Sequence, residues 1–262
     1  MASLPKMLDF ITPLNFPDVI RVGNQGDGGY IIPRVLLQEV EFLVSLGVSN
    51  DWTFDRHFKE LNKKLTIHAY DHTISQRKFL NSLAINSLKF VLGKVHFTEI
   101  LKSLKLLVGY KIFFQGNNVH YIERVHSRVD EKVDVTIDTI MQRTGSASVF
   151  LKIDIEGAEY RILSELDQYS TKILGLVIEF HDTWPFRDVF ISKMRALLTN
   201  YAVVHIHPNN FAGVAVDGLP EVMEITLLRR DYISDFSFKK VSSAIDLDRP
   251  NNPKRDEIVL KF

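Results

Sequence analysis

Along most of the chain the hydrophobic positions switch between two periods. Short, nearly continuous runs of β-branched and aromatic residues give way to stretches with apolar positions three and four apart. The first pattern suits strands buried on both faces of a sheet, the second helices packed against it. Strands are predicted over Glu41–Val48, Leu65–Asp71, His120–Val125, Val149–Asp154 and Gly175–His181. Helices are predicted over Trp52–Asn62, over 158–168 and over Phe186–Thr199, the first with Trp52 or Phe54, Phe58 and Leu61 at helical spacing. Such alternation implies a parallel sheet with right-handed crossovers. Tyr201–His207 and Val222–Arg229 depart from it, because a Gly- and Pro-containing link of about a dozen residues is too short for a helical crossover and predicts an antiparallel pair.

Two segments stand outside the alternation. Arg21–Tyr30 holds four glycines in ten residues, a composition suited to turns with positive φ and to close backbone approach to a ligand, or to a hairpin with no further role. Residues 73–111 carry two helical stretches, Ser75–Leu92 and Glu99–Val108, where one would complete a crossover. Seven basic residues there (Arg77, Lys78, Lys89, Lys94, Lys102, Lys105, Lys111) face one acid, Glu99. The insertion is either a cap for an anionic substrate or membrane surface, or a solvated basic face. The expected organisation is an N-terminal glycine-rich segment (1–40), a main domain (41–232) with a helical insertion at about 73–111, and a tail (233–262) whose residues Asp246–Glu257 look weakly packed.

Composition narrows the chemistry. A hydrophobic content of 45% over 262 residues supports a real core. Lys plus Arg equals Asp plus Glu at 32 each, so no global field recruits nucleic acid, and no such partner is expected. The absence of cysteine excludes disulfides, thiolate metal sites and thiol nucleophiles and fits a reducing compartment. No run of about 18 apolar residues occurs, so no transmembrane segment is expected, and the protein is placed in the cytoplasm. Its oligomeric state is not legible.

Candidate chemistry gathers at the predicted strand ends. The run Val149–Ile153 leads into Asp154, Glu156 and Gly157 and then a helical period, which places two carboxylates at the carboxyl edge of a central strand, where open α/β sheets hold ligands. Capping of the next helix is the competing explanation for both acids. After the first strand, Ser45-Leu-Gly-Val-Ser-Asn-Asp51 forms a small polar turn that lacks the second and third glycines of G-x-G-x-x-G. That turn suits a carboxylate or small polar group better than a pyrophosphate. Asp71, with His72 beside it, ends the second strand 24 residues after Gly47, where an acid can accept hydrogen bonds from both ribose hydroxyls. Together the turn and Asp71 predict a nucleoside cofactor.

Five stretches taken together carry a family resemblance: Ser45–Asp51, Asp71, Val135-Thr-Ile-Asp-Thr-Ile140, Leu151-Lys-Ile-Asp-Ile-Glu-Gly-Ala-Glu159 and Leu176-Val-Ile-Glu-Phe-His181. In this combination the chain resembles the FkbM family of S-adenosylmethionine-dependent methyltransferases. The specific part is Lys152–Glu159 preceded by the Thr-Ile-Asp element, and the resemblance spans roughly 20–230, including Asp27-Gly-Gly-Tyr30 and Met223–Asp231. It implies an α/β, Rossmann-like class I methyltransferase sheet with a reversed terminal strand and a helical insertion. It also implies S-adenosylmethionine as cofactor, with Gly47, Ser49, Asn50 and Asp51 near its methionine portion, Asp71 on its ribose, and His72 and Asp154 adjoining. Gly-Val-Ser stands here where many methyltransferases have Gly-x-Gly.

By the two-residue strand period Glu179 and His181 share a face, as do His205 and His207, with Asp154 and Glu156 on the adjacent strand. Asp154, Glu156, Glu179, His181 and His207 are therefore the catalytic candidates, with His181 or His207 as the proton acceptor. For each histidine a structural, hydrogen-bonded role is the alternative. A divalent ion on Asp154 and Glu179 is possible but not expected. Asn209 and Asn210 are candidate contacts to a polar acceptor, or an ordinary turn. The expected activity is methylation of a hydroxyl on a sugar, glycan or small metabolite, the acceptor class coming from the resemblance alone. The rivals are an NAD-dependent oxidoreductase, a metal-dependent hydrolase and a non-catalytic binding protein on the same fold.

Overall fold

The computed structural model describes residues 2–233 and 245–262. Seven strands form the central sheet: β1 (Phe42–Leu46), β2 (Thr66–Tyr70), β3 (Asn118–Tyr121), β4 (Val149–Ile153), β5 (Ile173–Phe180), β6 (Tyr201–Pro208) and β7 (Met223–Arg229). Their spatial order is 3-2-1-4-5-7-6. Strands β1 to β5 are parallel, and β7 enters between β5 and β6 antiparallel to both. That order, with its one reversed strand, is the class I methyltransferase sheet expected from the resemblance. The expected antiparallel pair is therefore the β6–β7 hairpin folded back so that its second strand lies inside the first.

The central strands are buried along their whole length, as their continuous apolar runs require. On one face α1 (Thr53–Leu61) packs Phe54 and Phe58 onto Phe150 of β4. On the other, α4 (Ile137–Arg143), α5 (Glu159–Ile162) and α6 (Arg187–Leu197) bury Ile140, Met141, Ile162, Phe190 and Met194. Between β2 and β3 two long helices, α2 (Gln76–Val91) and α3 (Phe97–Phe113), pair as a hairpin. Asn86 Nδ2 of one donates to Ser103 Oγ of the other at 2.8 Å. Trp52 meets Phe79, Tyr110 and Phe114 edge-on and anchors the hairpin's base to the body.

Three expectations need correction. The third strand runs over Asn118–Tyr121, and Arg124–Val125 instead pairs with Asp134–Val135 in a separate two-stranded ladder. The helix expected over 158–168 breaks after Ile162 into two 3₁₀ turns, Leu163–Glu165 and Asp167–Tyr169. The tail is not weakly packed over Asp246–Glu257, since Asn251 is buried and Asn210 Nδ2 donates to the carbonyls of Asn252, Arg255 and Asp256. Residues 234–244 of the expected tail lie outside the described residues.

Candidate active site

The turn after β1, the end of β2, the segment after β3 and the turn after β4 enclose a cleft of about 450 Å³ at the carboxyl edge of the sheet. It lies where the strand order reverses between β1 and β4, the usual ligand crevice of an open α/β sheet. Tyr70, Val125, Ile155 and Ala158 supply apolar lining, while Asp71, Glu123, Asp154 and Glu156 bring four carboxylates. Gly47 is required at its position: φ is +80°, and a Cβ there would lie 1.6 Å from the Asp154 carbonyl oxygen. The positive-φ non-glycine residues among those described are Ser49, Glu156 and Asp182, which follow β1, β4 and β5. Each such residue costs about 1–3 kcal/mol, and strain of this kind concentrates at functional edges.

Of the expected cofactor contacts, Gly47, Ser49, Asp71, His72 and Asp154 line the cleft, whereas Asn50 and Asp51 do not. Asp51 instead accepts from the Thr53 amide at 2.9 Å ahead of α1 and from Asn24 Nδ2 of the N-terminal hairpin Val19–Gly23/Gly29–Pro33. Asp71 is more engaged than its expected role implies. Its Oδ2 accepts from the amides of Val48 (3.0 Å) and Ser49 (2.7 Å), and its Oδ1 from the amide and hydroxyl of Thr73. Burial opposes its charge, but these four bonds outweigh burial and lower its pKa. An ionised carboxylate has about four acceptor directions, so all are occupied. Asp71 pins the β1 turn to the β2 end as one wall of the cleft.

Beside the cleft lies a second polar cluster, joined to it through Asp154. The buried Lys152 donates from Nζ to Asp154 Oδ2 (3.2 Å) and to the Gly47 carbonyl (2.8 Å). The Tyr30 hydroxyl lies 3.4 Å from the same Asp154 oxygen and donates to Glu179 Oε2 at 3.2 Å, while Asn209 Nδ2 holds Glu179 Oε1 at 3.0 Å. Burial, then the charges of Asp154 and Glu179, keep the Tyr30 phenol protonated as a donor. Burial and the charges of Asp154 and Glu224 raise the Glu179 pKa well above the carboxylate range.

His181 completes the cluster. Its Nδ1 donates to Glu159 Oε1 (3.0 Å), and its Nε2 faces Glu156 Oε2 (3.5 Å) and Glu179 Oε1 (3.7 Å). Burial works against the imidazolium, yet the Glu159 hydrogen bond and the charges of Glu159, Glu179 and Asp154 prevail, so the pKa is raised. Glu159 is itself held by the amides of Ile155 and Gly157, both 3.1 Å away, which fixes the ring's orientation. Asp154, Glu156 and His181 each offer one ligand atom within 4.8 Å of the others, so this is where the described residues could gather around a cation.

His207 is not part of this cluster. Its side chain is 3% exposed, with Nδ1 on Glu224 (3.2 Å) and Nε2 on Glu257 (2.7 Å), leaving neither nitrogen free to accept a proton. Burial opposes its charge, but the two carboxylates raise its pKa to about 10. Asn210 is spent on the tail and Asn209 on Glu179, so neither is a free acceptor contact. Sequence reasoning missed Tyr30, Lys152, Glu159 and the Glu123–His126 side of the cleft. Lys152 and Glu159 lie in the quoted Lys152–Glu159 motif, and Tyr30 closes the glycine-rich segment, so a signal was present for all three.

The profile of the methyltransferase FkbM domain matches residues 73–203, half of the chain. The chain belongs to the FkbM methyltransferase family. It is therefore an S-adenosylmethionine-dependent methyltransferase, as the resemblance implied. No curated protein matches it in sequence. Solved structures similar to it include a chain of the fibrillarin/Nop5p complex (12% identity, 84% of this chain and 98% of that one, TM-score 0.36). Others are the precorrin-6y C5,15-methyltransferase of Geobacter metallireducens GS-15 (10%, 74% and 87%, 0.38) and a putative rRNA-methylase of Clostridium thermocellum (9%, 74% and 91%, 0.37). These likenesses are distant, and the fold assignment rests on strand order. In this FkbM chain the Thr-Ile-Asp element proves structural: Thr136 caps α4 through the Thr139 amide (3.3 Å), and Asp138 accepts from Gln142.

Proposed function

We propose that this protein transfers the methyl group to a hydroxyl of a polar acceptor such as a sugar, glycan or small metabolite, and that the Glu179–His181 pair takes up the proton released. One observation carries this reading: Asp154 lines the cofactor-sized cleft and, through Tyr30, touches the buried carboxylate–histidine cluster next door. The cleft fits a cationic nucleoside, because it combines an apolar lining with four carboxylates against the guanidinium groups of Arg124 and Arg161, and its volume is in the range of small-molecule sites. The same acid excess disfavours the diphosphate of a nicotinamide dinucleotide. When bound, S-adenosylmethionine supplies the reactive methyl on a sulfonium.

The chain's own residues then have separable tasks. Gly47 and Asp71 shape the wall; Lys152 holds the Asp154 carboxylate at the junction of cleft and cluster, and Tyr30 lies between that carboxylate and Glu179. Positioning of this kind is worth roughly 7–11 kcal/mol, against about 10²–10⁴-fold for a general base, so alignment dominates. The proton acceptor is the pair because His181 alone is held protonated by its acidic neighbours, while the raised Glu179 carboxyl titrates nearer the working pH than an ordinary carboxylate.

Calorimetry with S-adenosylmethionine, S-adenosylhomocysteine and NAD, followed by transfer of labelled methyl to a panel of sugars, glycans, small alcohols and an RNA oligomer, tests this. Alkali-stable methyl ethers on a hydroxyl acceptor are expected. Exclusive transfer to nitrogen or carbon, or nucleoside binding with no transfer to any acceptor, rejects the proposal.

A further inference from the structure

The α2–α3 hairpin carries more apolar surface than its fold uses. Eleven of the 21 exposed large hydrophobic side chains among the described residues fall between Leu80 and Ile112. Each helix of a surface hairpin needs one apolar stripe toward the body. The inward stripe here is complete: Phe79, Leu107 and Phe113 are buried, and Leu83, Leu106 and Tyr110 pack against the same core. Yet α3 has a second stripe, Phe97, Leu101, Leu104, Val108 and Ile112, spaced four, three, four and four residues apart, all exposed. On α2, Ile85, Leu88 and Val91, with Leu92 just after its last turn, are exposed as well, Leu88 62% and Val91 80%. At the tip, the rings of Phe90 and Phe97 meet at a tilt, 5.7 Å between centroids, beside the turn at Gly93. A contiguous apolar ridge of this size on a protein surface marks a docking site.

The charges around the ridge choose its occupant. Seven cations and one acid between residues 73 and 111 give a local charge of +6 in a chain whose net charge is zero. On α3, Lys102 and Lys105 border the apolar stripe on one side and Lys111 on the other, while Lys89 and Lys94 flank the tip. Among the described residues Lys89, Lys94, Lys105 and Lys111 have no ion-pair partner. A second copy seated on this face would set +6 against +6, and nucleic acid would leave the apolar ridge uncovered. Amphipathic helices with lysines beside exposed Phe, Leu and Val instead match the interface of a bilayer, where apolar side chains enter the acyl boundary and lysines meet anionic headgroups.

The geometry points to the outer face of the α2–α3 hairpin as a docking surface for an anionic lipid bilayer. The hairpin begins where Thr73 lines the cleft, and Lys78 Nζ donates back to the Thr73 carbonyl at 2.6 Å, so the docked element is tied directly to the cofactor site. This inference does not depend on the acceptor or on the proton-accepting pair.

The test is co-sedimentation of the full chain with vesicles of phosphatidylcholine alone and with about one third phosphatidylglycerol. Partitioning is expected to be at least about tenfold stronger on the anionic vesicles and to fall steeply as salt rises from about 0.05 to 0.5 M. Leu88→Ser with Leu101→Ser, both on the surface, should cut partitioning by about tenfold or more. Lys102→Gln with Lys105→Gln should cut it severalfold and flatten the salt dependence. Both variants should keep the wild-type melting temperature and S-adenosylhomocysteine affinity. Failure of the folded wild type to bind anionic vesicles overturns the proposal, as does binding indifferent to lipid charge. So does light scattering that shows a dimer dissociated by the Leu88→Ser, Leu101→Ser variant, which would make the face a self-association surface.

Discussion

Two histidine–carboxylate clusters sit at the ends of β5 and β6, on either side of β7, and only one is equipped for chemistry. His181 follows β5 with Nδ1 fixed by Glu159 and Nε2 turned toward Glu156, which is almost fully exposed, and Glu179, beside the cleft. His207 lies near the end of β6 with both nitrogens closed by Glu224 and Glu257. In sequence the two are alike, an ionisable residue two positions before a histidine at a strand's end. What separates them is the tail, which brings Asp248 onto His205 at 2.8 Å and Glu257 onto His207. A histidine with one nitrogen oriented and the other beside an exposed carboxylate and a second carboxyl at longer range can pass a proton through that pair; one clamped at both ends is a structural cation.

The sharpest way to break this comparison is to remove each ring. His181→Ala should lower turnover by about 10²–10⁴-fold while leaving S-adenosylhomocysteine affinity, measured by calorimetry, within a few-fold. An unchanged rate would remove His181 from the proton-accepting pair. His207→Ala should do the opposite. It leaves the buried carboxylate of Glu224 and the half-buried one of Glu257 without their cation, a loss of about 3–5 kcal/mol in urea unfolding, with turnover of the folded enzyme preserved. Loss of turnover without loss of stability would reverse the roles assigned here.

The clamped ring also has a pH signature. The His207 pKa is raised to about 10 against about 6.5 when unfolded. A raised folded-state pKa contributes stability that is complete below the unfolded value and disappears as pH rises through the folded one. The stability advantage of wild type over His207→Gln should therefore be largest near pH 6 and shrink steadily toward pH 10. A difference that grows with pH would show that the ring is neutral in the fold.

Most of the sheet was legible because strand burial writes itself as continuous apolar runs, and the short β6–β7 link left only an antiparallel solution. Boundaries were lost where local pattern and tertiary pairing disagree. Residues 120–125 read as one strand, yet Arg124 leaves the sheet because its guanidinium binds Asp134 at 2.6 Å, pulling Glu123–His126 over the cleft. Asp71 and Asp154 were found because strand ends are visible in sequence. The saturation of Asp71 was not, since its donors come from a turn some twenty residues earlier as well as from Thr73. Tyr30 and Lys152 act across the sheet, a contact that one strand's periodicity does not encode. The closure of His207 depends on residues fifty positions later.

If the tail is what silences His207, loosening it should show a graded effect smaller than any above. Asn210 is the clip: its amide donates to three tail carbonyls, and its Oδ1 accepts from the Asn252 amide at 2.7 Å. Asn210→Ala leaves these partly buried groups short of partners, at a cost of about 1 kcal/mol. Turnover should be unaffected, because neither Glu179 nor His181 touches the clip. In NMR titrations the His207 pKa should move down from about 10 as Glu257 is released, while Glu224, paired with His207 directly across β6 and β7, keeps it above the unperturbed value. If the pKa stays put while the tail becomes protease-sensitive, Glu224 alone sets the His207 charge, and the difference between the two clusters lies in strand register and not in the tail.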